Sequence, residues 1–227
     1  MAVQATIQIK VNERLFLRDP ENTELGKKII SSSITLIEEI GFENFTFKKL
    51  ANNINSTEAS IYRYFENKHK LLIYLVSWYW SWMEYQVNYQ TNNIKEPEKK
   101  LKIAIRILSD AIKYDPTFSH IDEELLHKIV VAESDKTYLT KEVDADNKEG
   151  FFISYKSLCS HIASIVKEVN PKFKYPRAMV STIIEASHQQ KFFSEHLPSL
   201  TEIKILQGGD MEVAEFLEFM VFKLIKD

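Results

Sequence analysis

A single cysteine, Cys159, leaves this chain of 227 residues no internal disulfide to form and suits a reducing interior. Only five glycines and six prolines punctuate it, too few for a fold of many short strands and turns. Long periodic segments remain, which argues for an all-helical protein. The first twenty residues hold no apolar leader core. The longest near-apolar run, 71–83, has 13 residues including Ser77 and Ser81. A bilayer crossing needs roughly 20, so this run reads as a buried helix. No membrane association is expected, and a soluble, cytoplasmic protein is.

An excess of one charge is also missing. Residues 1–70 hold ten Lys/Arg against nine Asp/Glu, and residues 71–227 hold 19 against 23. The nets of +1 and −4 sum to −3, so any surface for nucleic acid must be local. Signatures of catalysis are absent too: there is no phosphate-cradling glycine loop, no CxxC and no HExxH. No catalytic residue and no cofactor are therefore expected, and the chain is not expected to be an enzyme. In residues 71–227 two Glu-x-x-His pairs, Glu124/His127 and Glu185/His188, have the spacing of di-iron ligands in four-helix bundles. With 23 glutamates and six histidines, about 0.6 such pairs arise by chance, so two carry little weight. Glu84 is the only obvious further carboxylate on a buried-looking helix. A di-iron bundle enzyme is kept as the alternative from another class. Cys159 lies on an apolar stripe with no activator in view, which favours a buried, inert thiol.

Residues 1–22 are expected to form an N-terminal arm, partly extended, because Ile7, Ile9 and Val11 alternate with Gln8, Lys10 and Asn12. Arg14 and Arg18 could reach a minor groove; packing through Leu15, Phe16 and Leu17 is the favoured reading. Asp19-Pro20 has the pattern of an N-cap and a first-turn proline. Ile30, Ile34 and Ile37 share a helical face, and Ile40-Gly41 is expected to end that helix. Thr46 then precedes Phe47, Leu50, Ala51 and Ile54 at spacing i, i+3, i+4, i+7, an amphipathic helix behind a threonine cap. Asn55-Ser56 makes a turn. A second short helix starts at Ser56 or Thr57, with Glu58 in its first turn and Ile61 and Phe65 inward. Asn67 caps a long helix. Two short helices, a tight turn and a long helix make the helix-turn-helix plan.

With Thr46, "NST", "IYRYF" and Lys68 in register, residues 23–72 resemble the TetR family of transcriptional regulators. The resemblance implies phosphate contacts from Thr46 and Lys68, and aromatic or phosphate contacts from Tyr62 and Tyr64. It places Ser56, Thr57, Glu58, Ala59 and Ser60 nearest the bases. Two departures stand out: Glu58 where the family often has lysine, and Ala59 where it often has glycine. A glutamate there loses a phosphate attraction but can accept from a cytosine amino group.

Behind that motif, residues 71–227 are expected to form a helical regulatory and dimerisation domain, with 23–70 as the DNA-binding domain. Leu71, Leu75, Trp78, Trp82, Tyr85 and Tyr89 line one face of the long helix; Leu72, Val76, Tyr79 and Met83 line the next. A helix apolar on two sides is enclosed. Further helices are expected at 97–115, 122–132, along the stripe Phe152, Tyr155, Cys159, Ile162, Val166 and Val169, at 176–197, and at 210–226 after Gly208-Gly209. In the last, Val213, Leu217, Met220 and Leu224 form one line, with Phe216, Phe219 and Phe222 elsewhere. One stripe docks the helix; the second needs a partner. A homodimer contact through Met179, Ile183, Phe193, Phe216, Phe219 and Met220 would supply it. The resemblance also implies an effector pocket, for which Trp78, Trp82, Tyr85, Tyr155 and Cys159 are the candidates. The expected protein is a dimeric regulator on a palindromic duplex operator, a repressor released by a small molecule, with activation as the alternative.

Overall fold

The computed structural model describes residues 9–109, 120–204 and 212–226, and among them it is helical without strands. The helices are α1 (Glu24–Asn44), α2 (Phe47–Asn53), α3 (Glu58–Tyr62), α4 (Lys68–Thr91), α5 (Pro97–Ser109) and α6 (Glu123–Glu133). Two short ones, α7 (Asp135–Tyr138) and α8 (Val143–Lys148), precede α9 (Ile153–Val169), α10 (Pro176–His196) and α11 (Glu212–Lys226). The expected Gly208-Gly209 break, the end of the 97–115 helix, and Ile7 and Gln8 of the arm lie outside the described residues.

Local chemistry explains where these elements begin. Asn12 and Asp19 each accept from a backbone N–H two residues on, at 2.9 Å, and open single 3-10 turns at Glu13–Leu15 and Pro20–Asn22. The arm is thus coiled rather than extended at these points, and Asp19-Pro20 starts its own turn rather than α1. Thr23 caps α1 by accepting from Gly26 N (3.0 Å), Asn67 caps α4 through Lys70 N (2.8 Å), and Asp122 caps α6 through Leu125 N (2.9 Å). The polar stretch 134–146, which has no clear period in sequence, folds as α7 and most of α8.

Gly41 does not end α1; it breaks it. With φ 74° and ψ 154° it sits where essentially only glycine is relaxed, and the helix resumes for three residues to Asn44. A Cβ at Gly41 would meet no atom closer than 4.0 Å, so conformation rather than crowding reserves the position. Gly41→Ala is expected to destabilise the protein by about 2 kcal/mol, read from urea unfolding. Equal midpoints for the two proteins would show the break to be dispensable.

Contacts group the described chain into two units: residues 9–81 with 120–154, and residues 82–109 with 155–204 and 212–226. The core of the first is built by Ile29, Ile30, Ile34 and Ile37 of α1, Leu50 of α2, Ile61 of α3, Leu71 and Leu75 of α4, and Leu126 and Val130 of α6. In the second, α10 and α11 pack on each other and on α5 through Val180, Ile183 and Ile184, through Val213, Leu217 and Val221, and through Leu101, Ile105 and Leu108. Polar clamps close it: Ser187 Oγ donates to Leu108 O (3.0 Å), and Asn170 Nδ2 to Ile225 O (2.8 Å).

The buried line of α11 is Val213, Ala214, Leu217, Val221 and Ile225. Leu224, expected inward, is 54 % exposed, because the packed face is rotated by one residue from the expected line. Met179 and Ile183, expected at a dimer surface, are core residues of their own unit, where α10 packs on α5 and α11.

Candidate nucleic-acid interface

Thr46 Oγ1 accepts from Lys49 N at 3.2 Å and fixes the start of α2. The turn after α2 is closed by Ser56 N donating to Ala51 O (2.9 Å), with Asn55 at φ 53°, a conformation asparagine tolerates better than most residues. Lys28 of α1 reaches Ile54 O at 3.1 Å and ties the turn to α1. Thr57 Oγ1 then accepts from Ser60 N (3.2 Å) and shares a hydrogen bond with Ser60 Oγ (2.8 Å). Two successive threonine caps thus set the two helices of the motif.

Helix α3 divides cleanly. Ile61 is fully buried and Phe65 lies edge-on to Tyr74, with ring centres 5.4 Å apart. Thr57, Glu58 and Ala59 are exposed, with Ser56 and Ser60 half-buried beside them. Tyr62 is 47 % exposed, its ring braced edge-on against Phe47 at 5.0 Å, so its hydroxyl end is available.

Tyr64 corrects the sequence reading. Only 2 % of it is exposed, and its hydroxyl is hydrogen-bonded to Thr23 Oγ1 at 2.7 Å. Its carbonyl accepts from Leu17 N (2.8 Å), and the Arg18 guanidinium stands 5.5 Å from its ring centre. Tyr64 is therefore an anchor rather than a DNA contact. Lys68 is a second correction. Its ammonium donates to Phe42 O (3.0 Å), Glu43 O (3.2 Å) and Phe45 O (3.2 Å), and an ammonium has three donors. Nothing is left over for a phosphate.

Two cations that the sequence reading passed over take the exposed positions. Lys48, in the first turn of α2, and Arg63, just after α3, are exposed and have no ion-pair partner among the described residues. Their signal in sequence was position: both flank the motif at its polar edges. The arm is packed. Leu15 is buried, Phe16 meets Tyr74 edge-on at 6.1 Å, and Arg14 pairs with Glu149 at 2.7 Å. Leu17, expected to help in that packing, turns its side chain outward while its N–H holds Tyr64.

The effector candidates fall in both units. Trp78 is buried in the first; Trp82 is buried in the second, where Tyr85 is half-exposed and stacks on Tyr89 at 6.0 Å. Tyr155 donates to Glu185 Oε1 (3.3 Å) at the edge of a depression of about 380 Å³ lined also by Ser181, Thr182, Ala186 and Gln189. Cys159 is half-buried, and burial pushes its thiol up to about 11, opposed by a hydrogen bond with Tyr155. That thiol stays protonated, which removes it as a nucleophile.

Neither Glu-x-x-His pair presents its two side chains together. Glu124 is exposed beside Lys128 (3.5 Å), whereas His127 turns inward, its Nδ1 2.8 Å from the Tyr79 hydroxyl. Glu185 takes Tyr155 and His188 is buried; Glu84, the further carboxylate considered for such a site, accepts from Ser157 Oγ at 2.7 Å. Among the described residues, no three His, Cys, Asp or Glu side chains gather as a metal site would need. No described helix is long and apolar enough to cross a membrane.

Residues 29–75 match the family described as "Bacterial regulatory proteins, tetR family". None of the curated proteins matches the chain by sequence. Among solved structures, AibR in complex with isovaleryl coenzyme A and operator DNA is similar at 16 % identity, over 87 % of this chain and 96 % of that one, with a TM-score of 0.56. PfmR, a TetR family transcriptional regulator from Thermus thermophilus, matches at 11 % identity over 87 % and 97 %, also with a TM-score of 0.56. The superantigen PfiT matches at 16 % identity over 91 % and 97 %, with a TM-score of 0.58. Likeness at these identities speaks for the fold alone. The chain has the fold of TetR-type regulators, with an N-terminal helix-turn-helix that matches that family over residues 29–75 and a helical C-terminal part.

Proposed function

We propose that this protein is a cytoplasmic, dimeric transcriptional regulator that represses from a palindromic operator and is released by a small molecule. The observation that supports it most is the division of α3. Thr57, Glu58 and Ala59 face outward at its leading end and Tyr62 at its last residue, while Ile61, Tyr64 and Phe65 fasten it from behind. A helix held this way can enter a major groove without unfolding anything else. Thr46, Lys48 and Arg63 are then placed to meet phosphates on either side, and Ser56 and Ser60 to meet base edges.

What α11 leaves uncovered supports the dimer. Phe216 and Met220 lie four residues apart on α11, with Phe219 beside them 71 % exposed. Phe193 of α10 is half-exposed beside the exposed Phe192. A second copy would cover this apolar row, and a two-fold protein matches two half-sites about 34–36 Å apart. A small apolar or aromatic effector, contacted from Tyr155 and Cys159, would act by changing that separation. The AibR structure, with its coenzyme A thioester and operator DNA, is consistent with this plan.

Selection of bound duplexes from a random pool by the purified protein is expected to enrich an inverted repeat. On that operator, Lys48→Ala and Arg63→Ala should each flatten the logarithmic salt dependence of affinity by about one unit. A pool that stays random after repeated rounds would refute the reading.

A further inference from the structure

The break in α1 leaves backbone groups that the helix itself no longer satisfies. Beyond Gly41, the Phe42 N–H has left the ladder. At the end of the helix the carbonyls of Phe42, Glu43 and Phe45 turn toward Lys68, the first of them also accepting from Phe45 N at 3.2 Å. Lys68 answers the carbonyls. The N–H is answered from 91 positions away: Phe42 N donates to Glu133 Oε1 at 3.1 Å, at the last residue of α6. Glu133 is buried, and its other oxygen pairs with Lys136, which also holds Glu43 at 3.0 Å. The bond to Glu133 holds the Lys136 ammonium above its usual range against the opposing pull of burial. One carboxylate on α6 therefore grips the broken end of α1 by its backbone, and Lys136 grips it by a side chain.

The next residues matter for recognition. Phe45 is fully buried, and Thr46, one step on, is the cap that starts α2. The segment 42–45 is short, and Glu133 on one side and Lys68 on the other satisfy its polar groups. Its placement decides where α2 begins, and α2 packs on α3.

We propose that Glu133 is a positioning residue for DNA recognition: through the Phe42 N–H it sets the α1–α2 corner, and with it Thr46 and the presentation of α3, so that operator affinity depends on the placement of α6. The inference rests on the DNA-binding reading above. Any shift of α6 that draws Glu133 off Phe42 leaves an amide without its acceptor and lets the corner move. A charge is not required for this, only an oxygen at that point.

The test uses the full-length protein on its selected operator. Glu133→Ala is expected to bind about tenfold more weakly, as loss of a bond to a charged acceptor would give. Glu133→Gln keeps an oxygen toward Phe42 and should recover most of that affinity. The Phe42 amide proton should move upfield in Glu133→Ala and return part of the way in Glu133→Gln. Thr91→Ala, which removes a buried hydroxyl bonded to Val87 O within its own helix in the other unit, serves as a destabilised control and should bind as wild type does. Glu133→Ala binding as tightly as wild type would overturn the inference, as would a loss that Glu133→Gln fails to recover. A wild-type protein that selects no duplex removes the DNA-binding reading and this inference together; a wild type that binds beside an indifferent Glu133→Ala removes the inference alone.

Discussion

Lys68→Met is expected to lower stability by about 3 kcal/mol while leaving the salt dependence of operator binding unchanged. The side chain keeps its apolar stem in methionine, so what is lost is the ammonium and its three bonds to Phe42 O, Glu43 O and Phe45 O. A hydrogen bond from a charged donor contributes about 1.5–3 kcal/mol, and three that share one half-exposed head group do not add fully. The same ammonium lies 4.7 Å from the Phe42 ring centre, a further contact that methionine replaces only with dispersion. A phosphate-binding lysine would behave in the opposite way: little change in unfolding, and a salt slope flatter by about one unit. Denaturant unfolding and operator titrations at several salt concentrations, run on Lys68→Met beside Lys48→Ala, separate the two roles. A flattened slope without loss of stability in Lys68→Met would return the residue to the interface.

The misplacement of Lys68 shows which kind of information a sequence withholds. Its charge and its position at the end of the motif were visible, but its partners are backbone carbonyls more than twenty positions away, at the C-terminal end of α1 and just beyond it. Gly41 itself was visible as a helix terminator; that the helix resumes, and that Glu133 satisfies the freed amide, depends on contacts across 91 positions. Tyr64 is different, because the sequence did contain the answer. On a helix continued through Phe65, as the spacing of Ile61 and Phe65 suggests, residues two apart would point about 200° from each other, so Tyr62 and Tyr64 could not both face outward. Helix α3 in fact ends at Tyr62, and the turn after it carries Tyr64 inward. The motif resemblance outweighed that geometry.

Elsewhere the period was sufficient. The caps at Thr46, Thr57, Asn67 and Asp122 and the enclosed run 71–80 follow from local chemistry and from apolar spacing. It failed on α10 and α11 for the complementary reason. When most of a helix is apolar, adjacent lines fit equally well, and the partners α5, α10 and α11 choose for one another which line is buried. Met179 and Ile183 went inward by that choice, and the phenylalanines of α11 were left outside.

Acidification tests the unit that contains those helices. His188 on α10 is buried, and burial, helped by nearby Lys191, lowers its pKa from 6.5 to about 4. Above pH 6.5 the imidazole is neutral whether the chain is folded or not, so His188 makes no pH-dependent difference. Below that point the unfolded chain takes up a proton that the folded one resists until about pH 4. Each unit across this window removes about 1.4 kcal/mol from the folded state, or at most about 3 kcal/mol in all. His188→Gln stays neutral throughout, so it is expected to be progressively more stable relative to wild type as pH falls from 6.5 to 4. The measurement is urea unfolding of both proteins at several pH values, and only the difference between them counts, since acid also protonates the carboxylates that both share. Parallel curves would mean that the folded protein accepts the proton as easily as the unfolded chain does. The result bears on function because His188 adjoins Ser187, whose hydroxyl clamps α10 to Leu108 of α5. Near and below pH 4 the folded protein takes up that proton as well. The charge then loosens the packing that carries the exposed phenylalanines of α11, so the self-association proposed here should weaken there, while His188→Gln keeps it.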